Sequence, residues 1–187
     1  HRDLHSFPTR RSSDLLLAFS RVSTRGKPFE PVDLHEPLGE ALRNLNIKID
    51  ETNAMVMTDE LPRVAADRTQ IMQVFQNLID NAVKFCKKDE QPRVHITAES
   101  AGPEWIISVK DNGIGIDPQY FERIFKIFQR LHTNREYSGT GIGLALCHKI
   151  IARHGGRIWV ESTEGEGARF CFALPDRLNT EAKGEHA

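Results

Sequence analysis

Asn77-Leu-Ile-Asp-Asn-Ala-Val-Lys-Phe85 lies within a long helix that the sequence predicts from Asp67 to about Cys86. Asp67 is of a residue type that caps helix N-termini, and apolar residues recur after it at helical spacing. At about 100° per residue they gather on one side of the helix. That side is formed by Ile71, Phe75, Leu78, Ile79, Ala82 and Cys86. We therefore expect it to face a core.

The other side of the same helix carries Asn77, Asn81 and Lys84, which lie within about 60° of one another. A solvated polar face is the simplest interpretation, but each mid-helix asparagine costs about 0.5 kcal/mol or more relative to alanine. A carboxamide oxygen is a good ligand for Mg²⁺ and adds no charge that would repel phosphates. The pattern therefore favours a binding face over a merely solvated one.

Three shorter motifs follow along the chain. They are Asp111-Asn-Gly-Ile-Gly115, Phe125-Lys-Ile-Phe-Gln-Arg130 and Gly139-Thr-Gly-Ile-Gly-Leu144. Taken singly, each fits an ordinary structural role as well: a turn after a strand, a phenylalanine stripe in a core, and a glycine hinge. Alternation places Asp111 on the buried side of its strand, where a carboxylate needs a hydrogen-bond donor. The third motif opens a helix, whose free N–H groups suit phosphate, and it is neither a Walker A nor a Rossmann turn.

The four motifs in this order resemble the N, G1, F and G2 boxes of the ATP-binding catalytic domain of sensor histidine kinases, over residues 16–175. The resemblance implies the Bergerat ATP-binding fold. This is an α+β fold, a two-layer α/β sandwich with a mixed, mostly antiparallel sheet and helices on one face. The predicted elements agree, because strands and helices mix without strict alternation. Within the family, kinases of the phytochrome-like or PAS-linked sort are the most similar.

The resemblance also implies roles for single residues. ATP and Mg²⁺ would be the cofactors, with Asn81 as the metal ligand, Asp111 as the acceptor for the adenine amine, and residues 129–138 as a mobile lid. Catalysis would rest on Asn77, Lys84 and Arg130, the two cations contacting the phosphates. The nucleotide-binding set that the resemblance implies is Asn77, Asn81, Lys84, Phe85, Asp111, Gly113, Gly115, Ile116, Arg130, Gly139, Thr140, Gly141, Ile142, Gly143 and Leu144.

Asn77 bears on which reaction is catalysed. In ATPases of the same superfamily the corresponding position holds a glutamate that activates water, whereas an asparagine cannot act as a general base. A neutral imidazole has a free lone pair and needs no such activation. Asn77 therefore favours phosphoryl transfer to a histidine over hydrolysis. The alternatives are an ATPase of the same fold and a nucleotide-binding regulatory module without catalysis.

The composition is that of one soluble globular domain, with 187 residues, 39% hydrophobic, 27% charged and a net charge of −1. No basic excess indicates nucleic-acid binding, and no apolar run approaches the ~18 residues of a membrane span. The three cysteines are widely spaced, which favours reduced thiols over a zinc site. We expect a cytoplasmic location and no membrane contact by this chain, with any anchor of the parent protein lying elsewhere.

The sequence predicts four segments. Residues 5–15 match the translation of a sequencing adapter, so we expect residues 1–15 to be an artefactual, disordered segment. Residues 16–28 are expected to hold the end of a dimerisation helix and a linker, 29–175 the ATP-binding domain, and 176–187 a disordered tail. Within the domain we expect strands at 29–34, 54–57, 93–99, 105–110, 157–162 and 168–174, and helices at 34–47, 67–86, 118–128 and 141–154.

No phospho-accepting histidine is evident in the sequence, because His35 fits the first helix of the domain too well. We therefore expect a histidine-bearing dimerisation domain outside this chain and a response regulator as the downstream partner. We also expect this chain to be a monomer and the full-length protein to be a homodimer.

Overall fold

A computed structural model describes residues 14, 16–17, 19–22, 26–129 and 141–178. Its strands are β1 (Glu30–Asp33), β2 (Met55–Thr58), β3 (Arg63–Ala66), β4 (Arg93–Ala101), β5 (Glu104–Asp111), β6 (Arg157–Thr163) and β7 (Gly167–Pro175). Its main helices are α1 (His35–Asn44), α2 (Asn46–Glu51), α3 (Arg68–Lys84) and α4 (Gly143–Arg153).

The main sheet has five strands in the order β2-β4-β5-β7-β6. Strands β2 and β4 run parallel, and the other neighbours run antiparallel. Strands β1 and β3 form a separate antiparallel pair, where Pro31 lies on an edge because it has no N–H to donate. The mixed, mostly antiparallel sheet implied by the resemblance is confirmed.

The helices form a second layer on one face of this sheet. Helix α3 packs against β4 and β5, α4 packs against β6 and β7, and α1 packs against α3. Phe75 of α3 and Phe172 of β7 are fully buried and meet edge to face, with ring centroids 5.9 Å apart. Full burial of such a side chain contributes roughly 1.5–3 kcal/mol. The apolar side predicted for α3 is buried along the helix, and only Cys86, beyond its end, is half-buried.

Helix α3 begins where the sequence predicts. The carboxylate of Asp67 accepts hydrogen bonds from the backbone N–H groups of Thr69 (3.1 Å) and Gln70 (3.2 Å). Loss of such a cap costs about 1 kcal/mol. The side chain of Asp67 therefore stabilises the first turn of α3 by accepting two of its N–H groups.

Asp67 also joins the start of α3 to the end of α4. Its second carboxylate oxygen accepts from the Lys27 N–H (2.8 Å) and from Arg153 (3.4 Å), and its own N–H donates to Nε2 of His154 (3.0 Å). Nδ1 of His154 lies 2.8 Å from the carbonyl oxygen of Ile150, so the ring is neutral with its proton on Nδ1. This cluster holds the two helices and the chain before β1 together.

Two predicted helices are wrong in detail. The helix expected at 34–47 is divided at Leu45, because Oδ1 of Asn46 accepts the Ile47 N–H (2.7 Å) and competes with the helical bonds. The helix expected at 118–128 is only two short 3₁₀ turns, Pro118–Tyr120 and Arg123–Phe125. Beyond the second turn the backbone is extended at Lys126.

Two further differences from the predicted elements depend on features that a local pattern does not contain. Strand β3 was not predicted, because its four residues form a strand only by pairing with β1. Helix α4 begins at Gly143, not at Gly141, whose φ of +69° lies outside the helical region. No helix in the described part of the chain is long and apolar enough to cross a membrane.

The buried imidazole predicts how stability depends on pH. Burial lowers the pKa of His154, opposed by the bond to Ile150 and by Asp67, and assisted by Arg153 and Arg177. The unfolded chain therefore takes up this proton at higher pH than the native protein does, so stability is lost as pH falls below about 6.5. We expect the free energy of unfolding, measured with urea, to decrease between about pH 7 and pH 5.

The matched variant is His154→Gln, which removes the titrating group. We expect a shallower pH dependence than in the wild type, by up to about 1.4 kcal/mol per pH unit. Equal slopes in the two proteins would contradict the neutral, buried state of His154.

Candidate functional site

The polar side of α3 presents Asn77, Asn81 and Lys84, all half-buried. The amide nitrogen of Asn77 donates to the Gln73 carbonyl oxygen (2.9 Å), which fixes the orientation of this side chain. The Lys84 ammonium lies 4.4 Å from the centroid of the Phe85 ring. The side chain of Asn81 makes no recorded hydrogen bond within the described ranges, so its amide is open to a ligand.

The loop after β5 (residues 112–116, the glycine loop) lies against the C-terminal end of α3. The Ile114 N–H donates to the carbonyl oxygen of Phe85 (2.9 Å), and Cys86 pairs with Gly113 in an isolated antiparallel bridge. A Cβ at Gly113 would come within 2.5 Å of the Phe85 carbonyl oxygen. Glycine is therefore required here for a close approach between two backbones.

The beginning of α4 lies against the same helix, near Asn77. A Cβ on Gly143 would lie 2.8 Å from Oδ1 of Asn77. Ile142, the N-cap of α4, is buried and provides no capping side chain, in contrast to Asp67 at α3. The N–H groups that open an α-helix have no partner within the helix, so this end can receive an anion. The glycine loop is thus in contact with the C-terminal end of α3, and α4 is in contact with its polar side at Asn77.

Asp111 ends β5 in a half-buried position. One carboxylate oxygen, Oδ1, accepts the N–H groups of Gly113 (2.8 Å) and Ala168 (3.0 Å). Burial raises the pKa of Asp111, and these two hydrogen bonds lower it. The structure records no partner for Oδ2 among the residues that it describes. The donor that a buried carboxylate needs is therefore supplied to one oxygen by the backbone, and the other oxygen can accept a bond from a ligand.

The turn between β6 and β7 adds residues that the sequence motifs did not indicate. Gly115, with φ of +73°, packs directly on the backbone of Thr163 and Glu164, where a side chain would collide. The Gly165 N–H donates to the Ile114 carbonyl oxygen (2.7 Å). Its glycines indicate a turn, but no local signal assigns that turn to the site, because its part in the site depends on β7 lying beside β5. Ile116, from the predicted set, is half-buried against the core.

The phenylalanine motif is described only in part. Phe125 packs edge to face on Phe170, with centroids 6.4 Å apart, and also meets His148 at 6.2 Å. Phe128 is 62% exposed and has φ of +61°, and its N–H donates to the Gly141 carbonyl oxygen (2.9 Å). Phe128 is therefore anchored through its backbone, not through its ring. The predicted site residues Arg130, Gly139 and Thr140, and most of the predicted lid, lie outside the described residues.

The site and fold agree with a known family. Residues 66–178 match the family described as histidine kinase-, DNA gyrase B- and HSP90-like ATPases, and the chain belongs to this family. Cyanobacterial phytochrome A of Nostoc sp. (strain PCC 7120) is 56% identical over 162 residues, covering 87% of this chain and 21% of that protein. The phytochrome-like protein Cph1 of Synechocystis sp. (strain PCC 6803) is 49% identical over 162 residues, covering 87% of this chain and 22% of that protein. The chain thus spans about a fifth of the length of these relatives.

Solved structures of histidine kinases share the fold. The catalytic domain of histidine kinase ThkA superimposes with a TM-score of 0.68 at 35% identity, over 80% of this chain and 97% of that domain. Full-length ShkA in complex with AMPPNP gives 0.73 at 29% identity, over 88% of this chain and 35% of that one. ThkA in complex with the response regulator protein TrrA gives 0.68 at 28% identity, over 96% of this chain and 54% of that one. The resemblance to histidine kinase catalytic domains is confirmed.

Asp111 allows a test that separates binding from folding. In Asp111→Asn the amide oxygen can still accept both backbone N–H groups, and the cost of burying a charge disappears. The amide nitrogen would replace Oδ2, the oxygen expected to accept the adenine amine, and would present a donor there instead. We expect unfolding of the free protein at an equal or higher temperature, together with loss of the thermal shift produced by ATP.

Asp59→Asn is the matched control, because it removes a carboxylate that is 59% exposed and paired with His95. It should keep the full ATP-dependent shift. An unaltered shift in Asp111→Asn would remove Asp111 from the adenine site.

Proposed function

We propose that this chain binds ATP with Mg²⁺ and transfers the terminal phosphoryl group to a histidine on a separate dimerisation domain, in two-component signalling. The observation that carries the proposal is the meeting of three elements at α3. The glycine loop lies against Phe85, the first turn of α4 lies against Asn77, and Asp111 ends the strand that leads into the loop. A base acceptor, a polar helix side and an open helix N-terminus are therefore held within one framework.

The residues present fit a nucleotide. Oδ2 of Asp111 can accept from the exocyclic amine of adenine. Gly113 and Gly115 keep side chains away from the loop, and the first N–H groups of α4 can donate to phosphate oxygens. Lys84 would add a positive charge on the same helix side as Asn81, and Arg130 would add a second one from the lid.

Mg²⁺ fits the same site. This ion binds oxygen, keeps several waters, and is held by one or two protein groups together with substrate phosphates. The half-buried amide of Asn81 suits that pattern. In the described segments no group of three or more His, Cys, Asp or Glu side chains could hold a metal by itself, so the phosphates would supply the remaining charge. When bound, the ion would neutralise the developing charge on the phosphates.

Asn77 supports transfer over hydrolysis. Its amide nitrogen is engaged by the Gln73 carbonyl, and its amide oxygen faces Gly143. An amide in this position can orient a phosphate or a metal-bound water, but it cannot remove a proton from water. Positioning and charge neutralisation are sufficient for attack by a neutral imidazole.

The accepting histidine is proposed to lie outside this chain. His35 opens α1, and its Nδ1 is paired with Asp33 (3.0 Å), while His154 is buried within the Asp67 cluster. A histidine-bearing dimerisation domain would therefore supply the acceptor, and a response regulator would receive the phosphoryl group next. The complex of ThkA with TrrA supports this choice of partner class. We also propose a cytoplasmic location, a monomeric chain and a homodimeric parent protein.

The decisive experiment mixes this chain with separately produced dimerisation domains of sensor histidine kinases, in the presence of labelled ATP and Mg²⁺. We expect acid-labile, alkali-stable phosphate on the histidine domain, reduced strongly by Asn81→Ala and unaffected by Asp59→Asn. ATP binding without phosphohistidine in any mixture would favour a regulatory module. Phosphate release that persists in Asn77→Ala would also count against the kinase reaction.

The contact between Gly143 and Asn77 gives a second prediction. In Gly143→Ala the new Cβ displaces the Asn77 amide, which can rotate, so the backbone need not move. Alanine is the better helix former, so the free energy of unfolding should change by less than about 1 kcal/mol. Affinity for Mg²⁺–ATP, measured by calorimetry, should fall roughly tenfold, the effect of about 1.4 kcal/mol.

Gly39→Ala is the control for this change. In α1 a Cβ at Gly39 meets only the Arg43 guanidinium, at 3.6 Å. It should leave the affinity unchanged. If Gly143→Ala also binds ATP as the wild type does, Asn77 does not contribute to the phosphate site.

A further inference from the structure

Ser162 joins two segments of the site that are far apart in sequence. Its hydroxyl accepts the Ile116 N–H (2.9 Å) and donates to the Gly167 carbonyl oxygen (2.6 Å). A serine hydroxyl can act as donor and acceptor at once, and here it does both. One bond reaches the glycine loop after β5, and the other closes the turn between β6 and β7.

Both of these segments carry a donor to Asp111. Gly113, in the glycine loop, donates to Oδ1, and so does Ala168, the residue after Gly167. The direction in which Oδ2 points is therefore set by two backbone N–H groups, from two different segments. Ser162 holds these segments at a fixed separation.

The β6–β7 turn is in contact with the loop at further points. Gly115 packs on the backbone of Thr163, and the Gly165 N–H donates to Ile114. Gly167, with φ of +91°, packs directly against the carbonyl oxygen of Asp111. These are backbone contacts that any side chain at the two packed glycines would disrupt. Ser162 adds a side-chain link between the same two segments.

We propose that Ser162 is a positioning residue for base recognition and that the β6–β7 turn is a wall of the nucleotide site. This inference rests on the proposed function, because it assumes that Oδ2 of Asp111 receives the base. Ser162 does not touch the nucleotide; it acts through Ile116 and Gly167 on the two donors of Asp111. The ligand class that it selects is a purine with an amine at the position facing Oδ2. A carbonyl oxygen at that position would be repelled by the carboxylate.

ATP and ITP are the matched probes, since they differ by an amine or a carbonyl at this position of the purine. In the wild type, calorimetry with Mg²⁺ should show a clear preference for ATP. In Ser162→Ala the Ile116 N–H and the Gly167 carbonyl lose their partner, and the two donors of Asp111 are free to shift. We expect the affinity for ATP to fall about five- to tenfold, as for one or two hydrogen bonds, with a smaller loss for ITP.

The conservative variant Ser162→Thr keeps the hydroxyl and should restore the ratio of the two affinities. Ser108→Ala is the control, since it removes a buried hydroxyl that pairs with Thr97 (2.7 Å) within the sheet, away from the loop. It should lower stability and leave the ratio unchanged. A merely structural role for Ser162 would move the melting temperature in both alanine variants and the ratio in neither.

An unchanged ratio in Ser162→Ala, or an equal fall in Ser108→Ala, would overturn the inference while leaving ATP binding intact. A wild-type chain that binds neither nucleotide would refute the proposed function itself. If Ser162→Ala does not fold, Ser162→Cys provides the same measurement, because a thiol has similar volume and is a weak donor. It should show an intermediate ratio, and a wild-type ratio would again count against the role of Ser162.

Discussion

The close approach of two glycine backbones to helix α3 is the constraint on which the site depends. Gly113 lies against the Phe85 carbonyl at one end, and Gly143 lies against Asn77 two turns earlier. Neither approach tolerates a Cβ without movement, so the loop is held close to the C-terminal end of α3 and α4 is held close to its polar side. Helix α3 can hold the loop and α4 in place because its other side is buried against the sheet and its first turn is capped by Asp67.

Recognition and stability are opposed at Asp111. Its carboxylate is half-buried, its pKa is raised, and only one of its oxygens is bonded to backbone N–H groups. A neutral residue would fold at least as well, which supports the proposal that the charge serves a ligand. The opposite holds at the far ends of α3 and α4, where Asp67, His154 and Arg153 satisfy one another. Under the proposed function, the protein separates a polar cluster that serves folding from a polar position that would serve binding.

The sequence alone predicts the elements whose patterns are local. The apolar side of α3, its Asp67 cap and the two antiparallel hairpins follow from spacing and residue type. The division at Leu45 and the short strand β3 do not, because the first depends on a competing local bond and the second on a distant partner. The same holds within the site. Asn77, Asn81 and Asp111 lie in recognisable motifs, whereas Ser162 and Ala168 matter only because β7 is a neighbour of β5, and alternation does not encode strand order.

That strand order has a consequence for synthesis on the ribosome. The last strand, β7, lies between β5 and β6, and the bond from Ala168 to Asp111 spans 57 residues. Until β7 emerges, β5 and β6 have no common neighbour, and the nascent sheet is open in its middle. Such non-local pairing makes folding slow and leaves unpaired strand edges exposed meanwhile. Premature termination after β6 would therefore remove an interior strand of the sheet, and with it both the Ala168 donor to Asp111 and the core around Phe172.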